Sequence, residues 1–228
     1  MFKFKLLLIF FLFSFITPAH AEHGSLIAKM QTIGSSLVEV HTVFEKTLRT
    51  PNNHLAHASY ERTGAGIIID SSGIIVTNTH IIANAPHIYV GLSNGKVYEA
   101  RVLYSSEADF SFIRINSPSP LQPIQWADSS QAQLGQEIIA LGSSDYNQQS
   151  ILGGEITSLL QSLSTGAVEM IEINLNLYQG DSGGPILDDE GRLLGLVMAK
   201  RKSQERKSYA IASNKIRQEY LNYKRNMQ

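Results

Sequence analysis

Gln179-Gly180-Asp181-Ser182-Gly183-Gly184-Pro185 sets a serine in the middle of a glycine-lined turn. Lacking Cβ atoms, Gly180, Gly183 and Gly184 leave the approach to Ser182 open and accept backbone angles that other residues resist. A turn of this composition is able to aim the amides of Gly180 and Ser182, with the Asp181 peptide between them, at a single point. Two convergent N–H groups hold a developing oxyanion. A serine hydroxyl is a poor nucleophile by itself, so the reading requires a base and an orienting acid elsewhere in the chain.

Both stand upstream. Thr77-Asn78-Thr79-His80 closes an apolar run and offers the base. Glu107-Ala108-Asp109-Phe110-Ser111-Phe112-Ile113 offers an acid that leads directly into an apolar strand. The order His80, Asp109, Ser182 is that of chymotrypsin-type peptidases; the subtilisin and α/β-hydrolase orders differ. Each separation is long enough to carry the chain across a barrel and back. Each residue also has a plain alternative: His80 at the end of a hairpin, Asp109 capping a turn, Ser182 as one turn serine among many.

The surrounding motifs narrow the choice. Thr63-Gly64-Ala65-Gly66-Ile67-Ile68-Ile69-Asp70 followed by Ser71-Ser72-Gly73-Ile74-Ile75-Val76-Thr77-Asn78-Thr79-His80 closely resembles the histidine-bearing hairpin of the HtrA (Deg) family, trypsin-like serine peptidases of bacterial envelopes and organelles. The resemblance continues through Val90-Gly91-Leu92-Ser93-Asn94-Gly95-Lys96, the Asp109 strand, Trp126-Ala127-Asp128-Ser129, Gly153-Gly154-Glu155-Ile156-Thr157-Ser158 and Ser208-Tyr209-Ala210-Ile211-Ala212-Ser213, over roughly residues 35–215. It implies an all-β fold of two six-stranded antiparallel barrels with the cleft between them. It also implies roles: Ser182 attacks the scissile carbonyl, His80 relays its proton, and Asp109 orients the imidazole. By the same resemblance, a primary specificity pocket is lined by Asn176, Tyr178, Gln179, Met198, Ala199, Lys200, Ser208, Tyr209 and Ala210.

Several positions depart from the family pattern. HtrA relatives usually carry asparagine before the serine, where this chain has Asp181. Trypsin-like digestive enzymes also carry aspartate there and pair it with a newly cut N-terminus, but the chain shows no Ile-Val-Gly-Gly-type activation site. A buried Asp181 therefore needs another partner, such as a base from Lys200-Arg201-Lys202-Ser203-Gln204-Glu205-Arg206-Lys207; the alternative is an exposed or backbone-satisfied carboxylate. That basic loop is either a solvated hairpin tip or a wall of the pocket favouring acidic substrates. Asn176 occupies the place where trypsins hold an aspartate, which argues against a preference for arginine or lysine. The small aliphatic preference of HtrA relatives is compatible with Met198, but Tyr209 and the lysines leave it open. HtrA trimers form through N-terminal aromatic residues; Phe44 alone among residues 22–59 is aromatic, so the resemblance does not extend to a trimer. The chain stops at Gln228, where relatives usually continue into a PDZ domain.

Composition sets the remaining bounds. Residues 1–21 read as a signal peptide: Lys3 and Lys5 precede an apolar run over 6–16, and Ala19-His20-Ala21 makes a cleavage site. The run is well short of the ~20 residues a spanning helix needs, so an exported, periplasmic or secreted protein is expected, with no retained membrane span. A formal net charge of -1 gives no reason to expect a nucleic-acid partner. With no cysteine, stability must come from burial. His20-x-x-His23 and His54-x-x-His57 have a metal-like spacing, but no cysteine or acidic pair accompanies them, so no metal is expected. Triad chemistry needs no cofactor.

Alternation and turn signals predict strands at 36–43, 67–69, 74–76, 88–92, 97–104, 110–115, 137–141, 154–160, 169–174, 185–187, 193–199 and 209–211. A short helix is expected at 25–33 and a loop at 50–54. Asn116-Ser117-Pro118-Ser119-Pro120-Leu121-Gln122-Pro123 has three prolines and cannot feed a central sheet. The organisation expected is a first barrel over 22–117, a linker over 118–125, a second barrel over 126–212 and a terminal helix over 213–228. Ser213 is expected to cap that helix, which would bury Ile216, Tyr220, Leu221 and Tyr223. The function expected is serine endopeptidase cleavage of polypeptides, unfolded envelope proteins among them. The alternative is a peptide-holding, chaperone-like or non-catalytic protein on the same fold.

Overall fold

The unbroken triplets Ile67-Ile68-Ile69 and Ile74-Ile75-Val76 are buried on both faces of their strands. Ile68 and Ile75 point into a barrel interior with Val38, Val40, Val90, Ile113 and Ile115. Their neighbours Ile67, Ile69, Ile74 and Val76 point the other way, into a layer shared with Leu141, Leu187, Leu193, Leu196 and Ile211 of a second barrel. A continuous apolar run is what a strand covered on both sides requires.

The structure is a computed structural model. It describes residues 32–49, 55–144, 148–177, 179–198 and 207–227. β1 (Leu37–Arg49), β2 (Leu55–Asp70), β3 (Ile74–Thr77), β4 (His87–Leu92), β5 (Val97–Ser105) and β6 (Ser111–Ile115) close a barrel in the order β1-β2-β3-β6-β5-β4. β7 (Glu137–Ser144), β8 (Gln148–Gln161), β9 (Val168–Ile173), β10 (Pro185–Leu187), β11 (Leu193–Met198) and β12 (Ser208–Ala212) close another in the order β10-β11-β12-β9-β8-β7. All pairings between these strands are antiparallel. The all-β, two-barrel architecture is therefore the one the sequence predicts.

Three strands run well past the spans expected: β1 continues to Arg49 rather than ending near Val43. β2 begins at Leu55 rather than near Ile67, and pairs with β1 from Arg49↔Leu55 to Leu37↔Ile67. β8 begins at Gln148 rather than Gly154. Outside the barrels these stretches form ribbons held by backbone hydrogen bonds. Backbone pairing of this kind does not by itself impose the apolar alternation by which strands are read. The signal peptide and most of the helix expected at 25–33 lie outside the described residues, as does the loop at 50–54; residues 32–36 are helical.

The proline-rich crossing is clamped to both barrels. Leu121 N donates to Ser71 O and Ile124 N to Ile68 O on one side. Ala127 N donates to Leu193 O and Leu193 N to Gln125 O on the other.

A short helix, α1 (Thr79–Ile82), follows β3, and α2 (Ser213–Asn226) closes the chain. Ser213 does not cap α2. Its hydroxyl donates to Ala127 O at 3.0 Å, and the Asn214 amide is satisfied instead by the Ser129 hydroxyl at 3.1 Å. Ile216 and Tyr220 are buried as expected, whereas Leu221 is 46% exposed and belongs to the solvent face.

α2 leaves the second barrel and docks on the first. Tyr220 packs edge-on against Phe112, centroids 5.5 Å apart, and its hydroxyl donates to Asp70 Oδ2 at 2.6 Å. Lys224 Nζ reaches the same oxygen at 3.2 Å, and the Ser72 amide donates to Oδ1 at 2.9 Å. Tyr104 donates to Glu219 Oε2 at 2.7 Å. Burial pushes the Asp70 carboxyl up, but the Tyr220 hydroxyl, the Ser72 amide and hydroxyl and the Lys224 ammonium outweigh it, holding the group well below the usual carboxylate range. Burial and the same carboxylate push the Tyr220 phenol well above its ordinary range.

Candidate active site

α1 is a single turn whose first residues carry the site. His80 Nδ1 lies 2.7 Å from Asp109 Oδ2, and the His80 amide donates to Asp109 Oδ1 at 2.9 Å. Both carboxylate oxygens thus grip one residue, through its ring and through its backbone. With Asp109 ionised, Nδ1 carries the proton, and Nε2 presents a lone pair. The side chains are 47% and 28% exposed, so the pair sits at a rim open to a large ligand.

Asp109 adopts φ 62°, a left-handed conformation that costs an L-residue about 1 kcal/mol or more. Its own carbonyl is held in compensation: Asn78 Nδ2 donates to Asp109 O at 3.0 Å and Thr79 N at 3.2 Å. Asn78 is fully buried, and its Oδ1 has no hydrogen-bond partner among the described residues. Behind it runs a chain of hydroxyls, Thr79 Oγ1 to Ser111 Oγ at 2.8 Å and Ser111 Oγ to Ser105 Oγ at 2.9 Å.

Ser182 arrives from the second barrel, directly after a 3-10 turn over Gln179–Asp181. Its backbone ties the barrels together. Ala65 N of β2 donates to Ser182 O at 2.7 Å, and the hydroxyl of Thr77 fixes Ala65 O at 2.7 Å. Gly183 N donates to Val197 O and Val197 N to Gly184 O. The glycines are therefore required for packing as well as for access. Gly183 has φ 82°, and a Cβ there would lie 2.0 Å from Ala65 O; one on Gly184 would lie 2.1 Å from Leu141 O. Among the described residues, the only side-chain hydrogen bond of His80 is to Asp109, and none reaches Ser182.

The remaining expected site residues are distributed unevenly. Asp181 is 1% exposed, which leaves no room for a solvated carboxylate, and it carries an interaction within the fold. Ser208 is buried and pins β12 to the preceding segment, donating to Leu175 O at 2.7 Å and accepting from Leu177 N at 3.3 Å. Ala210 lies in the second-barrel core. Met198 and Tyr209 pair across β11 and β12, and the Tyr209 hydroxyl donates to Glu172 Oε2 at 3.1 Å. Asn176 is exposed. Gln179 opens the 3-10 turn. Tyr178, Ala199, Lys200 and the basic loop through 206 lie outside the described residues, as do His20, His23 and His54. Lys207 Nζ stands 4.0 Å from Glu172 Oε1. Sequence reasoning did not single out Asn78, although it sits in the quoted Thr77-Asn78-Thr79-His80 stretch, nor the bracing role of Ala65.

Comparison with known proteins agrees with this fold. Residues 64–196 match the family described as trypsin-like peptidase domain. The chain is 30% identical to the zebrafish serine protease HTRA1A over 162 residues, covering 68% of this chain and 33% of the relative. It is 30% identical over 165 residues to the periplasmic pH-dependent serine endoprotease DegQ of Escherichia coli, covering 69% of this chain and 36% of DegQ. It thus spans about a third of the length of the curated relatives it matches. A solved HtrA-type protease, an AlgW variant with a decapeptide, superposes with a TM-score of 0.72 at 19% identity, covering 86% of this chain and 66% of that one. Among the described residues, no helix is long and apolar enough to cross a membrane.

Proposed function

We propose that this chain, which belongs to the trypsin-like peptidase domain family, is a serine endopeptidase that cleaves polypeptides through an acyl-enzyme intermediate. The observation that carries the reading is the two-point grip of Asp109 on His80, at 2.7 Å to the ring and 2.9 Å to the amide. Such a grip fixes the imidazole's tautomer and orientation, and a base that abstracts a proton needs both.

In the mechanism, His80 Nε2 takes the proton of the Ser182 hydroxyl as Oγ attacks the scissile carbonyl. The carbonyl oxygen becomes an oxyanion received by the amides of Gly180 and Ser182. The imidazolium, stabilised by Asp109, gives its proton to the leaving amine. Water then repeats the sequence and frees the acyl group. The resting hydroxyl has no bond to His80; such contacts tighten when substrate excludes water. Substrates are polypeptides held in an extended form, unfolded envelope proteins among them, and the acyl-side residue enters a pocket beside Asn176, Met198 and Tyr209. Export across the inner membrane follows from the leader-like residues 1–21 and from likeness to a periplasmic relative.

The absence, among the described residues, of a bond between the Ser182 hydroxyl and His80 favours one second reading, a peptide-holding protein without turnover. Purified protein treated with a fluorophosphonate separates the two. Labelling that is absent in Ser182→Ala, together with casein fragments seen by mass spectrometry, supports the peptidase. Peptide binding with neither labelling nor fragments supports the holding protein.

A further inference from the structure

Beyond the barrel, β1 and β2 continue as a two-stranded ribbon. In its register Thr42 faces Arg62 and Phe44 faces Tyr60, so the four share one face. That face is turned toward α1. Thr42 Oγ1 donates to Ile81 O at 3.2 Å, and Arg62 Nη1 donates to His80 O at 3.1 Å. The Arg62 guanidinium lies over the Phe44 ring, 4.5 Å from its centroid. Phe44 in turn stacks on Tyr60 at 4.7 Å and 4°. Phe44 is 6% exposed, whereas Tyr60 is 47% exposed.

Three properties follow for Arg62. Its position is fixed on one face by an aromatic ring and at one nitrogen by a carbonyl. The other N–H donors of its five remain for a ligand. It has no carboxylate partner among the described residues: Glu61 projects from the opposite face of β2, and Glu39 engages His41 at 3.1 Å. A cation placed this way, beside the base, matches an anionic group better than a neutral one.

We propose that Arg62 is a specificity-determining residue, binding an acidic side chain of the substrate within the first three residues after the scissile bond, with Tyr60 as the wall beside it. The inference rests on the peptidase reading for its direction. The acyl-side pocket is assigned to the second barrel, so the leaving segment passes His80 and runs over the first. Ala65 N, bonded to Ser182 O, marks where the ribbon meets the serine. Arg62 is three residues away along β2, roughly 10 Å at ~3.3 Å per residue. An extended substrate covers that distance in about three residues.

The test is a competitive digest of paired peptides. They share the acyl side and carry either aspartate or lysine at the three positions after the cut, in wild type, Arg62→Gln and Arg62→Glu. An exposed ion pair is worth up to ~1 kcal/mol, so wild type prefers aspartate by about fivefold. The ratio falls to near one in Arg62→Gln, reverses in Arg62→Glu, and shrinks at high salt. Because the ratio is internal to each digest, a loosened His80 does not move it. The same peptides are titrated against Ser182→Ala with and without Arg62→Glu. If nothing is cleaved but aspartate peptides bind tighter and Arg62→Glu reverses the order, the peptidase reading fails, and what stands of this inference is Arg62 as the residue that selects an acidic side chain. Equal ratios in wild type and Arg62→Glu overturn it.

Discussion

Replacing Tyr220 by phenylalanine removes one oxygen and nothing else from the seam where α2 meets the first barrel. The ring keeps its edge contact with Phe112 at 5.5 Å, so the apolar contribution is unchanged. What is lost is a 2.6 Å hydrogen bond to the Asp70 carboxylate. Hydrogen bonds to charged groups contribute about 1.5–3 kcal/mol. Asp70 retains the Ser72 amide and the Lys224 ammonium, and its side chain is 20% exposed, so water can replace the phenol in part. The expected loss is therefore near the low end, about 1.5 kcal/mol, or roughly 3–6 °C in melting temperature for a chain of this size. Urea titration followed by the fluorescence of the single tryptophan, Trp126, measures it. The loss must also depend on pH. The carboxyl is depressed in the folded state, so its stabilisation is complete above the unfolded value of ~3.9 and drains away as pH falls below it. Tyr220 is raised, so its contribution is complete below about pH 10 and declines above that. Wild type and Tyr220→Phe should therefore differ by a nearly constant amount from neutral pH down to about pH 4, and converge only in stronger acid, where the folded carboxyl itself takes up a proton. A difference under about 0.5 kcal/mol at pH 7, or one that has already vanished by about pH 4, would refute the reasoning.

Two further substitutions probe the site. Gly183→Ala places a Cβ 2.0 Å from Ala65 O at a residue with φ 82°. Left-handed strain and overpacking together destabilise by about 3 kcal/mol or more, with fluorophosphonate labelling lost; a melting curve that overlays wild type removes the inter-barrel contact from the account. Asn78→Ala takes a donor from the carbonyl that holds Asp109 left-handed, but also removes an unpaired buried oxygen. Stability should change by less than ~1 kcal/mol, while kcat drops about tenfold with KM unchanged, as befits a displaced Asp109. A KM effect alone would point to a role in binding.

How far the sequence could be read depended on whether a residue's duty was local. Ile67-Ile68-Ile69 and Ile74-Ile75-Val76 announce strands covered on both sides, and the barrels follow. His80 and Asp109 were legible because their chemistry is rare and their order is informative. The ribbon over Leu55–Gly66 was not, because backbone pairing between two strands does not by itself require an apolar rhythm. The α2 start was misread for a related reason: Ser213 has the composition of a cap, yet Ser129, distant in the chain, satisfies the first amide. The left-handed turn at Asp109 also gave no signal, since it is held by Asn78 and Thr79 rather than by a glycine. Arg62 was invisible for the same reason, as its neighbours Phe44 and His80 are brought to it only by the fold.

The division of the site between barrels bears on how such a protein is made. His80 and Asp109 emerge early from the ribosome, already able to engage each other, but with no alcohol to activate. Ser182 comes much later, and its backbone is braced only when Ala65 meets it from the other half. The final 14-residue helix then locks onto Asp70, near the start of the chain. On the proposed peptidase reading, a chain still being synthesised therefore has no working blade with which to cut itself or its neighbours.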